Sequence, residues 1–139
     1  MDISGKVVLV TGANRGIGKA LVAEAISQGA RKVYACTRSG EAGASDIVVP
    51  IMLDVTDARS ITAALERCGD VEVLINNAGI IAHGPLMAAP AATLIKEQFE
   101  VNFFGLLAMS QAFSPVLKHN GGGAIVNLLS VLSWISIDQ

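Results

Sequence analysis

Five short apolar runs punctuate the chain, and two kinds of segment separate them. "KVVLVTG", "KVYACT", "IVVPIMLDV", "VEVLINN" and "GGGAIVNLLS" carry continuous rather than alternating hydrophobic residues, many of them β-branched. Runs of this kind read as strands buried on both faces. Between them, apolar residues recur at helical spacing. "GIGKALVAEAISQG" places Ile17, Leu21, Ala25 and Ile26 on one face, with Gly29 where a C′ residue ends a helix. "TDARSITAALERCG" opens on Thr56, an N-cap type, and aligns Ile61, Ala64, Leu65 and Cys68. A long helical stretch, "ATLIKEQFEVNFFGLLAMSQAFSPVLKHN", precedes the fifth run. "RSGEAGASD" has room for a short helix at most, and a loop rich in Gly, Ala and Pro runs from about Ala78 to Pro90.

Strands alternating with helices imply an α/β fold, a parallel sheet covered on both faces in three layers. Right-handed crossovers make it doubly wound. Pro50 inside the third run marks a strand at or near an edge. In such sheets the ligand crevice lies beyond the C-terminal strand ends, where the winding reverses. The motifs below all fall there.

Composition narrows the function. The 139 residues fit one domain, with 52% hydrophobic and 16% charged residues, a formal net charge of −2 and no basic run. Nucleic acid is therefore not the expected partner. No apolar stretch is long enough to span a bilayer, and "MDISGKVVLV" does not resemble a signal peptide. Cys36 and Cys68 are not spaced as a metal or redox motif, and no metal site is expected. They read as reduced thiols, in the core or near the surface, of a cytoplasmic protein.

"TGANRGIG" joins the first strand to the first helix, with glycines at 12, 16 and 18. Glycine takes positive φ and lets a phosphate approach the backbone. The helix start behind it offers free N–H groups and partial positive charge to a diphosphate. Alone, such a loop is a tight turn; between a buried strand and a helix it points to a dinucleotide.

The Thr-Gly-x-x-x-Gly-Ile-Gly pattern resembles the cofactor loop of the short-chain dehydrogenase/reductase family. The resemblance continues through Asp54-Val55, "NNAG" (76–79), "VNFFG" with Asn102, and "IVNLLS" with Ser130, in family order and spacing. It implies a Rossmann-type fold and a nicotinamide cofactor held by Gly12, Asn14, Arg15, Gly16, Ile17 and Gly18. It also implies that Asp54 and Val55 contact the adenine, and that Asn77, Ala78 and Gly79 line the nicotinamide-side ribose.

Residue chemistry bears on which nicotinamide cofactor is used. NAD-binding folds carry an acid about 20 residues past the glycine loop. This chain has Thr37 and Arg38 there instead. An arginine would bond a 2′-phosphate that a carboxylate would repel, and Arg15 is a second such group. NADP (NADPH) is the expected cofactor.

By the same resemblance, Ser130 hydrogen-bonds a carbonyl or alcohol substrate, with Ser133 as a rival, and Asn102 holds a water in a proton relay. A Tyr-x-x-x-Lys pair would complete the site as general acid/base. A tyrosine pKa of about 10 must fall for that role, which a nearby ammonium achieves. The only tyrosine is Tyr34, inside the second strand, so the chain reads as a reductase cut before its acid/base. The full-length protein is expected to be a homodimer or homotetramer. Its long helix is apolar nearly all round and in family dimers packs against its twin. In a chain so cut the fifth strand would lack its next neighbour, and the isolated chain would be prone to aggregate or marginally stable. A rival reading is a non-catalytic NADP-binding module. Trp134 and Ile135 line a substrate pocket or are core residues. Met87, Met109 and the Phe103–Phe104 pair belong to the core or the dimer helix, and His83 and His119 have no assigned role.

Overall fold

The computed structural model describes residues 2–81, 87 and 90–131. His83, Ser133, Trp134 and Ile135 lie outside the described residues. The elements follow in the order β1 Val7–Thr11, α1 Gly16–Ser27, β2 Lys32–Thr37, β3 Val48–Met52, α2 Ala58–Arg67 and β4 Val73–Asn76. Then come α3 Ala91–Phe99, a π-helical segment Glu100–Gly105, α4 Leu106–His119 and β5 Ala124–Asn127. The sheet order is β3-β2-β1-β4-β5, with every pairing parallel. This is the Rossmann-type doubly wound sheet that the alternation of elements implies. Winding runs outward through β2 to β3, then returns across β1 to β4, so it reverses between β1 and β4. Pro50 sits in edge strand β3, where a missing amide hydrogen is tolerated.

Period-two alternation splits β1 between two cores. Val7 and Leu9 join Ile61 and Ala64 of α2 and Met109, Phe113 and Leu117 of α4. Val8 and Val10 join Ala25, Leu21, Val22 and Ile26 of α1. The two faces therefore carry different helices, as three layers require. Phe113 is wholly buried at the centre of the larger cluster, where truncation to alanine costs ~3–5 kcal/mol. Cys36 and Cys68 are both free and buried in that same cluster. Burial pushes the Cys36 thiol well up and that of Cys68 up to about 12, so neither is a reactive thiolate.

Three local expectations change. The cap of α2 is Asp57, whose carboxylate accepts from the Arg59 amide at 3.0 Å. Thr56 is diverted, because its hydroxyl donates to Asp54 Oδ1 at 2.7 Å. The long helical stretch runs from Ala91 to His119 but changes its hydrogen-bond register between Glu100 and Gly105. β5 is not buried on both faces: Ile125 is 37% and Val126 44% exposed. It is an edge strand whose one partner among the described residues is β4.

The ends of the strands opposite the crevice are fixed by charge. Lys32 Nζ lies 2.6 Å from Asp70 Oδ2, and the Tyr34 hydroxyl donates to Asp70 Oδ1 at 2.8 Å. Glu72 accepts from Lys6 at 2.8 Å and from the Val7 amide at 3.1 Å.

Candidate functional site

At the reversal point, the C-terminal ends of β1 and β4 are stitched into one unit. The Thr11 hydroxyl accepts from the amides of Asn77 and Ala78, each at 2.9 Å. Asn77 Nδ2 donates back to the carbonyls of Thr11, at 2.8 Å, and Gly12, at 3.2 Å. The Thr11 hydroxyl in turn donates to the Ile75 carbonyl at 3.4 Å, so two strand ends that diverge in sequence share five hydrogen bonds.

Above this junction lies a cavity of about 600 Å3, a size that suits a small organic ligand. Its lining gathers every residue expected to hold the cofactor: Gly12, Asn14, Arg15, Gly16, Ile17, Gly18, Thr37, Arg38, Asp54, Val55, Asn77, Ala78 and Gly79. They come from the C-terminal ends of four strands, β1 to β4, and the connections that follow. Ser39, Leu53, Thr56, Ile80 and Val101 complete the wall and escaped the sequence reading. Leu53 and Ile80 directly adjoin the expected residues, so extending each motif by one position finds them. Val101 likewise adjoins Asn102 within the "VNFFG" motif.

The glycines shape the floor. Gly12 and Gly16 have φ of +67° and +53°, a conformation that disfavours side chains. A Cβ on Gly12 would stand 3.0 Å from Ala78 Cα, and one on Gly18 would strike the Gly12 carbonyl oxygen. The loop is therefore pressed against both β4 and its own helix. Arg15 occupies the N-cap position of α1 without a side-chain cap, and no acidic residue stands in the first turn. The first N–H groups of α1 are thus left for a ligand or water.

Two connections supply the positive charges, the loop after β1 and the residues after β2. Arg15 and Arg38 are exposed at the cavity, and Thr37 beside them is buried with a hydroxyl that has no partner among the described residues. Asp54 is held below the usual carboxylate range, first by the Thr56 amide, then by the Thr56 hydroxyl, with the charge of Arg38 adding. Two guanidinium groups, a hydroxyl in search of a partner and a glycine cradle fit a phosphorylated dinucleotide.

The two residues expected in catalysis stand apart from this lining. The Asn102 amide closes on the main chain of Ile80: Oδ1 accepts from its N–H and Nδ2 donates to its carbonyl, each at 2.8 Å. Ser130 is exposed, three residues past β5. Tyr34 lies within β2 and is not among the residues that line the cavity. Burial, and next its hydrogen bond to Asp70, raise its pKa, the wrong direction for a base. A polar cluster behind the site joins β4, β5 and α4, because buried Asn76 donates to Ser110 Oγ at 3.1 Å and to Asn127 Oδ1 at 2.9 Å.

Known proteins resemble this chain in sequence and fold. Residues 6–137 match the profile of the family described as short chain dehydrogenase. A curated relative, 11-beta-hydroxysteroid dehydrogenase A of Sesamum indicum, is 34% identical over 96% of this chain and 42% of its own length. The 3-oxoacyl-[acyl-carrier-protein] reductase FabG of Escherichia coli is 33% identical over 95% of this chain and 57% of its own. Among solved structures, a short chain dehydrogenase from Burkholderia cenocepacia in complex with NADP superposes with a TM-score of 0.92. It is 43% identical and covers 98% of this chain and 58% of its own. The chain spans about half the length of the curated relatives it matches.

Proposed function

The chain belongs to the short-chain dehydrogenase family of oxidoreductases, and from that premise we propose that it binds NADP(H) as part of an enzyme interconverting a carbonyl and a secondary alcohol. The observation that carries this reading is the convergence of Arg38, Arg15 and the glycine loop on one cavity. The amides at the start of α1 and the Gly12–Gly18 loop would hold the diphosphate. Arg38 and Arg15 would hold the 2′-phosphate, with the Thr37 hydroxyl as a further donor. Asp54 and Val55 would meet the adenine, and Asn77 to Gly79 the second ribose. The NADP carried by the Burkholderia relative supports the choice of cofactor.

When bound, the dinucleotide supplies the hydride donor or acceptor. The contributions of the chain itself are to bind, orient and exclude water. Asn102 acts as a positioning residue that fixes the loop after β4 through Ile80, and Ser130 meets the oxygen of the substrate. The acid/base must be a group other than Tyr34, so these 139 residues alone bind the cofactor without turning it over. The exposed Phe99, Phe103 and Phe104 give the long helix a face for a second copy, as a homodimer. Buried, protonated Cys36 and Cys68 suit a reducing compartment such as the cytoplasm.

A fluorescence titration with NADPH and NADH tests the reading. Tighter binding of NADPH, lost selectively in Arg38→Asp, supports it. Equal affinity for the two defeats the role given to Arg38. A second reading, a binding module with no chemistry of its own, is favoured by the remote position of Tyr34. Hydride transfer to a carbonyl substrate by a longer protein that contains these residues would overturn it.

A further inference from the structure

Gly105 is a glycine without a backbone reason. Its φ of −62° and ψ of −46° are those of an ordinary helical residue, and it is absent from the positive-φ glycines. In a helix interior glycine is worse than alanine by about 1 kcal/mol, so packing must account for it. It is the one buried residue of the π-helical segment. A Cβ placed there would stand 2.7 Å from Val55 Cγ2, 3.1 Å from Val55 Cβ and 3.2 Å from the Val55 carbonyl oxygen. All three contacts are with a single residue, and Val55 is part of the cavity wall.

We infer that Gly105 is a positioning residue for the cofactor pocket, setting how far Val55 stands into the space that takes the adenine. Val55 is caught between the helix and the cavity: it packs in the large core cluster and also lines the pocket. One helical turn earlier, Val101 of the same segment lines the pocket directly. The π-helical segment is therefore a wall of the pocket. Its only small residue stands where the wall meets the loop after β3. A side chain at 105 would press on Val55 Cγ2, and the open side of Val55 is the cavity. The inference rests on the adenine placement proposed above.

The test uses the 139-residue chain and adenosine 2′,5′-bisphosphate, which carries the adenine half of the coenzyme alone, in calorimetric titration. Gly105→Ala should weaken binding by about tenfold, the effect expected of an overpacked contact. Adding Val55→Ala, which removes the Cγ2 atom nearest the new methyl group, should restore most of the loss. A merely structural role would instead lower the urea midpoint of Gly105→Ala and leave the affinity of the folded protein unchanged. Wild-type affinity in Gly105→Ala, or no recovery in the double variant, overturns the inference. Should Gly105→Ala fail to fold, a folded and binding Gly105→Ala/Val55→Ala chain supports it, and an unfolded one overturns it. If the wild-type chain itself ignores the bisphosphate, the cofactor reading has failed and the inference falls with it. If the wild type binds and only the rescue is missing, the inference alone has failed.

Discussion

Asn102 and Ile80 exchange two hydrogen bonds, so a helix side chain reads both polar groups of one loop residue. Removing the amide leaves that N–H and that carbonyl to solvent. Asn102→Ala should cost ~1–3 kcal/mol of local stability. Hydrogen exchange at the Ile80 amide should accelerate, while amides in β1 stay protected. Unchanged exchange at Ile80 would show that the loop is held by other contacts.

Thr11 is the knot between two strand ends. Thr11→Val keeps the shape but removes the oxygen that accepts from Asn77 and Ala78. Two partly buried N–H groups then lose their partner, at ~1–3 kcal/mol each. The urea midpoint should fall accordingly, and NADPH affinity should fall with it because the cavity floor loosens. A midpoint within error of wild type would refute the assignment.

Acid should destabilise the fold through particular carboxylates. Glu72 is lowered mainly by the Lys6 hydrogen bond, and Asp54 by the Thr56 amide. Their folded pKa values lie below the unfolded ones of about 4. The unfolded chain therefore takes up protons first as pH falls. Stability from both groups is complete above that value and is lost as pH drops through their folded values. Urea midpoints should be level from neutral pH to about 5 and then decline. Glu72→Gln should lower the plateau and flatten the decline.

The exposed aromatic edge of the long helix should govern self-association. Phe103 is 54% exposed and packs edge-on to Phe104, with ring centroids 5.1 Å apart. Phe103→Glu places a charge on that face. The dimer dissociation constant, measured by sedimentation, should rise at least about tenfold. Soluble monomer at all concentrations in the wild-type chain would refute the dimer proposal.

The fold was largely readable from residue types. Continuous apolar runs gave the strands, Pro50 gave an edge, and strand–helix alternation gave the parallel sheet. The glycine loop and the short motifs after β2, β3 and β4 named most of the cavity wall, because each follows directly from a strand end. What stayed hidden depends on geometry that residue type does not encode. The change of register at Glu100–Gly105 leaves no mark in residue type, so the "VNFFG" motif pointed to Asn102 and gave no role to Val101 or Gly105. Thr56 looked like a cap until Asp54 claimed its hydroxyl. The fifth strand is expected to lack a neighbour, and β5 does end the sheet among the described residues. What its composition does not show is that Ile125 and Val126 stay in contact with solvent.

The knot of Thr11 and Asn77 also has a kinetic meaning. Because the two shores of the crevice are joined by the folding of the sheet itself, a coenzyme arriving from solution meets a finished surface and need not wait for a loop to order. Capture should then be a single collision-controlled step, its observed rate rising in proportion to coenzyme concentration without a plateau.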